Sequence, residues 1–424
     1  MSRGYTPTDK MRNFPGTPVK KMDDFQPRRR LLLEMFRTGL ARVHGRRCVA
    51  AALGEPAPAA PVWVAAVGKA ATAMALGAHD ALGRAIERTL LITREREDLS
   101  GFPAGAVPEV WLGSHPVPDE RSLAAGERLL TWVDELPAAV WPLFLISGGA
   151  SSLVEVPAQG ATLEDLAALT RESFSSGMPI GELNSRRAAL SRIKGGRLAA
   201  RLEGRTARAL FVSDVPRDDP RVIGSGLMGP PPGGDRIERV VVASVDHAVA
   251  AVAAHAAQLG LLVHASGQRF ADGAERLAAR FAHELHLGEA QLRVWGGEST
   301  VELPPHPGRG GRNQHLALAA ARLIAGRGEL LLLAAGTDGS DGVTDDAGAL
   351  VDADSCARMT LAQLDADDCL AQADSAAALA ASGDLVHTGP TGTNVGDLVI
   401  GLKLSAQDAE PVAQHRDVRA PRVL

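Results

Sequence analysis

Short apolar runs that end in glycine, serine or aspartate recur along the whole chain, with helix-length stretches between them. VWVAAV at 62–67, WPLFLI at 141–146, ARALFV at 207–212, VVVASV at 240–245, LLLLAA at 330–335 and LVIGLKL at 398–404 are of this kind. A strand that is apolar on every residue has both faces covered, and such strands run parallel only through helical crossovers. The alternation therefore predicts an α/β architecture, with a doubly wound, Rossmann-like parallel sheet in the first half. Helices are expected at 31–45, 70–82, 122–135, 163–176, 183–202, 247–259, 274–286 and 312–325. A chain of 424 residues exceeds one ordinary core, so two domains are expected. Gly224 to Gly234, GSGLMGPPPGG, interrupts the pattern and marks the boundary. The expected division is a loose polar tail at 1–26, a first domain at 27–232 and a second α/β domain at 236–405.

The net charge of -5 gives no sign of a polyanion partner such as nucleic acid, and none is expected. No apolar run approaches the roughly 20 residues of a membrane helix. The N-terminus lacks an apolar signal core, and the three scattered cysteines form no metal or disulfide pattern. A cytoplasmic protein fits these features. The Arg28-Arg29-Arg30 run reads as the start of a solvated helix face. Arginine replaces lysine almost everywhere: between residues 22 and 402 only Lys69 and Lys194 remain, each beside glycine. A compact ammonium among free backbone amides suits a phosphate oxygen, so both are candidates for phosphate or substrate contact.

Strand ends are where open α/β sheets bind ligands. Gly68-Lys69 follows the strand at 62–67 and opens a helix. Ser147-Gly148-Gly149-Ala150-Ser151-Ser152 follows the strand at 141–146 and offers hydroxyls and close backbone approach, although a plain turn would look the same. Asn184, Arg187, Ser191 and Lys194 share one face of the predicted helix at 183–202, which is either solvated or turned to substrate. Asp214, Asp218 and Asp219 follow the strand at 207–212; Asp338, Asp341, Asp345 and Asp346 follow that at 330–335. Asp214 and Asp338 are each the first acid after a buried strand and the best candidates for a hard cation or a base, with Asp341 as a further metal ligand. Asp residues also serve turns and caps, so some of these are structural. Arg312 and Asn313 start a helix among glycines, downstream of Gly297-Glu298, where a guanidinium can fork onto carboxylate or phosphate. Thr391, Thr393 and Asn394 lie in a hydroxyl and glycine loop before the last strand. His115, flanked by proline, is a weaker candidate base. Two apparent motifs are set aside. Gly224 to Gly229 matches G-x-G-x-x-G, but prolines follow where a helix should open, and VGKAA lacks the glycine and hydroxyl of a Walker loop. Lysines at glycines, arginine forks, hydroxyl loops and paired acids together point to phosphoryl transfer, in which positioning and charge neutralisation do most of the work.

VGKAA, SHPVPDERS, ISGGASSL, NSRRAALSRIKGGRLA, VSDVPRDDP, GGESTV, GRGGRNQ, GTDGSDGVTDDAGA and TGPTGTNVGDL occur in one order over residues 65–398. As a set they resemble the glycerate 2-kinases whose C-terminal part is the MOFRL domain, here at 292–405. The resemblance implies two α/β domains, the second with a mixed sheet, and an active site in the cleft between them. It also implies ATP, a divalent cation such as Mg²⁺, and transfer to the 2-hydroxyl of D-glycerate to give 2-phosphoglycerate. Lys69 and Arg312 fall at the family's catalytic lysine and arginine. The small acid is the expected partner, and a homodimer is left open. Some members carry the name hydroxypyruvate reductase. A nicotinamide-dependent reductase and an inactive acid-binding relative are therefore the competing readings. The chain departs from the family pattern at Ala150, Arg217, Leu227, Met228 and His315. Arg217 and His315 are expected to bear on metal handling or substrate choice.

Overall fold

The computed structural model describes residues 26–54, 59–176 and 180–404. The tail expected at 1–26 lies outside these residues except for Gln26. The described chain opens with helices α1 (Gln26–Val43) and α2 (Gly45–Ala52). A sheet of six parallel strands follows: β1 (Val62–Val67), β2 (Ile86–Thr93), β3 (Glu109–Leu112), β4 (Trp141–Ile146), β5 (Thr206–Val212) and β6 (Arg236–Ala243). Their order is β3-β2-β1-β4-β5-β6, the doubly wound order that reverses between β1 and β4. Between the strands run α3 (Ala71–Leu82), α4 (Glu120–Asp134), α5 (Ala150–Leu153), α6 (Leu163–Ser176), α7 (Ile180–Ala189) and α8 (Arg197–Ala200).

Alternate residues of β1 explain why the sheet is covered twice. Trp63, Ala65 and Val67 pack with Leu129, Trp132 and Val133 of α4 on one face. Val62, Val64 and Ala66 pack with Met74, Ala75 and Ala78 of α3 on the other. Every residue of β1 is buried, as its unbroken apolar run requires.

The second sheet is mixed, and its elements are α9 (Val245–Gln258), β7 (Val263–Ala265), β8 (Phe270–Gly273), α10 (Ala274–Leu287), β9 (Leu292–Thr300), α11 (Arg312–Ile324), β10 (Leu330–Gly336), β11 (Gly348–Asp352), α12 (Ser355–Leu361), α13 (Ala366–Ala371), α14 (Ser375–Ser382), β12 (Leu385–Val386) and β13 (Asp397–Lys403). Its order is β12-β11-β10-β13-β9-β7, with β8 beside β9. β10 and β13 are antiparallel to their neighbours, whereas β7 and β8 run parallel to β9. No described helix is long and apolar enough to cross a membrane.

Two boundaries differ from the sequence reading. β6, expected to open the second domain, pairs in parallel with β5 and forms the edge of the first sheet. The Pro/Gly stretch before it is a connection within one sheet, buried over 224–229 and exposed only at 232–234. α1, expected in the first domain, covers the second sheet: Leu31, Leu32, Met35 and Phe36 share a core with Leu331, Leu333, Leu398 and Ile400. The arginine run is not a solvated face. Arg28 is 2 % exposed and donates to the Leu404 carbonyl at 3.0 Å. Arg29 pairs with Asp352 and Asp384, which Arg358 also holds. The helix expected at 183–202 is broken: α7 ends at Ala189, Ser191 bridges to Pro157, and Gly195 and Gly196, with φ of 61° and 81°, turn the chain into α8.

Phe36 is 1 % exposed in this core. Phe36→Ala is expected to cost about 3–5 kcal/mol of stability. Denaturant unfolding checks this, and a loss below about 1 kcal/mol would contradict the docking of α1 on the second sheet.

Candidate active site

The site grows from a place where two turns of the first sheet touch. Gly68, just after β1, has φ +131°, and a Cβ there would lie 2.1 Å from Ser147 Oγ. Only glycine allows this approach. Lys69 N donates to the Gly148 carbonyl at 2.9 Å, and Ala70 N donates to Ser147 Oγ at 3.0 Å. The turns thus join at the reversal between β1 and β4, the expected ligand position in such sheets.

From this junction Lys69 reaches across to the second domain, where its Nζ meets Asp338 Oδ2 at 2.7 Å. Ser340 N donates to the other oxygen of Asp338 at 3.0 Å. Burial opposes ionisation of Asp338, but Lys69 and the Ser340 donors outweigh it and hold its pKa below the usual range. Asp214, after β5, accepts from Asn394 Nδ2 at 3.1 Å. A Cβ on Gly148 would lie 2.0 Å from both Asp214 Oδ2 and Asn394 Nδ2, so this contact exists only beside glycine. Burial, with Glu298 adding repulsion, pushes the Asp214 pKa up to about 6, against Lys69 and Arg312.

Arg312 starts α11. Its Nε and Nη2 fork onto Asp397 at 2.7 and 3.1 Å, and Nη1 donates to Glu298. Burial works against the guanidinium charge, but Asp397 and Glu298 raise its pKa and keep it charged. His115 flanks Gly149 opposite Lys69, since a Cβ on Gly149 would lie 3.3 Å from His115 Cδ2 and 3.2 Å from Lys69 Cγ. Burial first, then Lys69 and Arg94, depress its pKa to about 3, so the ring is neutral. A cavity of about 340 Å³ opens beside Lys69, lined by Thr93 and Glu97 of the first domain and by Asp338, Ser340 and loop 389–393 of the second.

Lys69, Gly148, Gly149, Asp214, Glu298, Arg312, Asp338 and Asn394 therefore meet where the two domains face each other. Other predicted residues support the site from behind. Lys194, expected at a substrate-facing end, is fully buried, and its Nζ donates to the carbonyls of Val154 at 2.8 Å and Ala150 at 3.2 Å. It holds the end of α5, and burial lowers its pKa to about 8. Asp341, expected as a metal ligand, accepts from Asn313 N at 3.1 Å and Gln314 N at 2.8 Å and caps α11. Asn313 is itself turned inward, donating to Asp341 and Asp397. Ser147 caps the start of α3. Thr393 donates to the Val43 carbonyl at 2.7 Å, and Thr391 to that of Thr337, so both shape their loop. Asn184 accepts from Ser225, which also meets Ser151 at 2.9 Å. Arg187 is buried and finds only the hydroxyls of Thr170 and Ser225, with no carboxylate at salt-bridge distance among the described residues.

The family departures lie off the cleft. His315 is buried in α11 and meets Glu275 of α10 at 3.3 Å. Arg217 is exposed with φ +67°, a conformation that glycine adopts freely. Asp218 is held by Arg269 at 2.6 Å. Ala150, Leu227 and Met228 lie in the first core. Among the described residues, no three His, Cys, Asp or Glu side chains converge as a metal cage. Asp397, Ser225, Thr93 and Glu97 were missed. Asp397 precedes an apolar strand, a signal that was legible; Glu97 is hidden in the charge run REREDLS.

Two α/β domains facing across a cleft lined by a lysine, an arginine and paired carboxylates define this as a two-domain kinase, with a nucleotide as implied co-substrate. A family model described as a domain of unknown function (DUF4147) matches residues 31–260, and the MOFRL family model matches 291–397. The D-glycerate 2-kinase of Thermotoga maritima is 35 % identical over 80 % of this chain and 90 % of that one. An Agrobacterium vitis chain that carries a hydroxypyruvate reductase name is 34 % identical over 87 % of this chain and 93 % of its own. The crystal structure of the Thermotoga maritima glycerate kinase superposes with a TM-score of 0.79 at 32 % identity, covering 89 % of this chain and 100 % of that one. The chain belongs to the MOFRL-containing glycerate 2-kinase family.

Gly148→Ala would force Asp214 and Asn394 apart. A loss of about 100-fold or more in kcat/KM is expected, with a lowered but still cooperative thermal unfolding; full activity would rule out a role for this contact.

Proposed function

We propose that this protein transfers the γ-phosphoryl group of ATP to the 2-hydroxyl of D-glycerate, giving 2-phosphoglycerate and ADP. The observation that carries the reading is the Lys69–Asp338 pair spanning the cleft beside Asp214. Without ligand each charge satisfies the other. A bound phosphate takes over Lys69 and frees Asp338 for a divalent cation. Magnesium commonly uses one or two carboxylates and completes its shell with water and substrate phosphates, which suits a site that offers the Asp338 carboxylate. Asp338 would hold Mg²⁺ there, and the ion would supply charge neutralisation at the phosphates.

Asp214 takes the proton of the acceptor hydroxyl as its oxygen bonds phosphorus and the bond to the leaving ADP oxygen breaks. Glu298 and Asp397 orient Arg312 toward the charge that develops. Gly148 and Gly149 give the reacting groups room. Arg187, buried without an acidic partner, is suited to the carboxylate of the acid. Buried and half-buried free thiols agree with a cytoplasmic setting.

Phosphorus NMR of a mixture with ATP, Mg²⁺ and D-glycerate tests the reaction directly. A 2-phosphoglycerate signal is expected, and Lys69→Ala and Arg312→Lys should each lower kcat by about 10³. Arg187→Gln should raise KM for D-glycerate about 10- to 100-fold. Hydride transfer from a nicotinamide to hydroxypyruvate without ATP would instead establish a reductase. Nucleotide binding without turnover would establish an inactive relative.

Asp214 has a folded pKa of about 6, above its ordinary value, so it is protonated below that pH. If its carboxylate is the base, kcat should rise as pH increases through about 6. Asp214→Asn should abolish that limb. A pH profile flat between 5 and 8 would exclude Asp214 as the base.

A further inference from the structure

Glu97 has no part in the chemistry described above, yet it lines the cavity that Lys69 opens. It lies just beyond the end of β2, which neighbours β1 in the sheet. One of its oxygens accepts from Thr93 Oγ1 at 3.0 Å, the Thr72 hydroxyl also lies against the carboxylate, and the side chain stays partly exposed to the cavity. Its neighbour Glu95 is exposed and tied to Arg94 at 3.0 Å. In sheets with this strand order, an acid beyond the second strand meets ribose hydroxyls while the turn after the first strand meets phosphates.

We infer that Glu97 is the residue that anchors the ribose of the nucleotide, its cavity-lining carboxylate accepting from the ribose hydroxyls. This rests on the kinase reading and adds a direction to it. The ribose lies over β2, the phosphates run past Lys69 at the end of β1, and the terminal phosphorus reaches the junction of β1 and β4. The acceptor acid is then left the side bounded by Gly149, His115, Arg187 and Asp214, where Lys69 of the cavity wall also flanks Gly149. The charges agree with this direction. The cavity wall carries Lys69 and Arg94 against Glu95, Glu97, Asp338 and Asp345, so it suits a nucleotide whose phosphates are neutralised by a cation rather than a bare polyanion. Burial, with Glu95 close by, holds the Glu97 carboxyl above its usual range against the Thr93 hydroxyl, a cost that further hydroxyl donors would offset.

Initial rates with ATP and with 2′-deoxy-ATP or 3′-deoxy-ATP test the assignment on the full chain. Wild type should prefer ATP by roughly tenfold or more in kcat/KM over at least one deoxy analogue. Glu97→Ala should bring that ratio close to one and raise KM for ATP, with KM for D-glycerate unchanged. Glu97→Gln, which keeps an acceptor, should retain part of the preference. Ribose discrimination that survives in folded Glu97→Ala overturns the inference. Should wild type show no turnover, calorimetry with ADP and 2′-deoxy-ADP reads the same contact. A ribose preference that depends on Glu97 would then uphold the inference while the kinase assignment fails, and the lack of any nucleotide binding would overturn both.

Discussion

The absence of side chains at Gly68 and Gly148 is the constraint from which the site follows. At Gly68 the turn after β1 can lie against Ser147, and at Gly148 the turn after β4 can lie against Asp214 and Asn394. A single methyl group at either position would occupy space already filled by polar atoms. Because Asn394 belongs to the second domain, the second of these contacts also fixes how the two sheets meet. Close backbone approach sets the distance between the domains, and every charge in the cleft is positioned by it.

The cleft is also electrostatically self-satisfied. Lys69 is held by Asp338, and Arg312 by Asp397 and Glu298. Two groups depart from this balance. Asp214 has only an amide donor, and its pKa stands near 6; His115 is surrounded by cations, and its ring is neutral. On the proposed reading, a ligand that brings negative phosphate and a cation would exchange partners with the paired groups and leave Asp214 to take the proton. Environments that push titratable groups apart in this way are characteristic of sites that move protons.

The departures from the family pattern have a structural explanation. Arg217 occupies a left-handed turn, a conformation that glycine adopts freely, and its neighbour Asp218 is committed to Arg269. His315 is buried in α11 and turned to Glu275 of α10. Neither change removes a group from the cleft.

Much of this was legible in the sequence. The unbroken apolar runs specified strands buried on both faces, and their glycine and aspartate ends marked the turns that bind, because those features depend only on local backbone chemistry. β2 begins with IERT and β11 is a short stretch among glycines, so neither stood out by its pattern. Nor could the sequence assign α1 to the second core or β6 to the first sheet, since strand pairing and helix docking join residues far apart in the chain. It marked Lys194 and Asp341 as readily as Lys69 and Asp338. Only the tertiary structure decided that the first two face carbonyls and a helix end while the second two face each other across the cleft. A side chain's chemistry is local, but what it meets is set by packing.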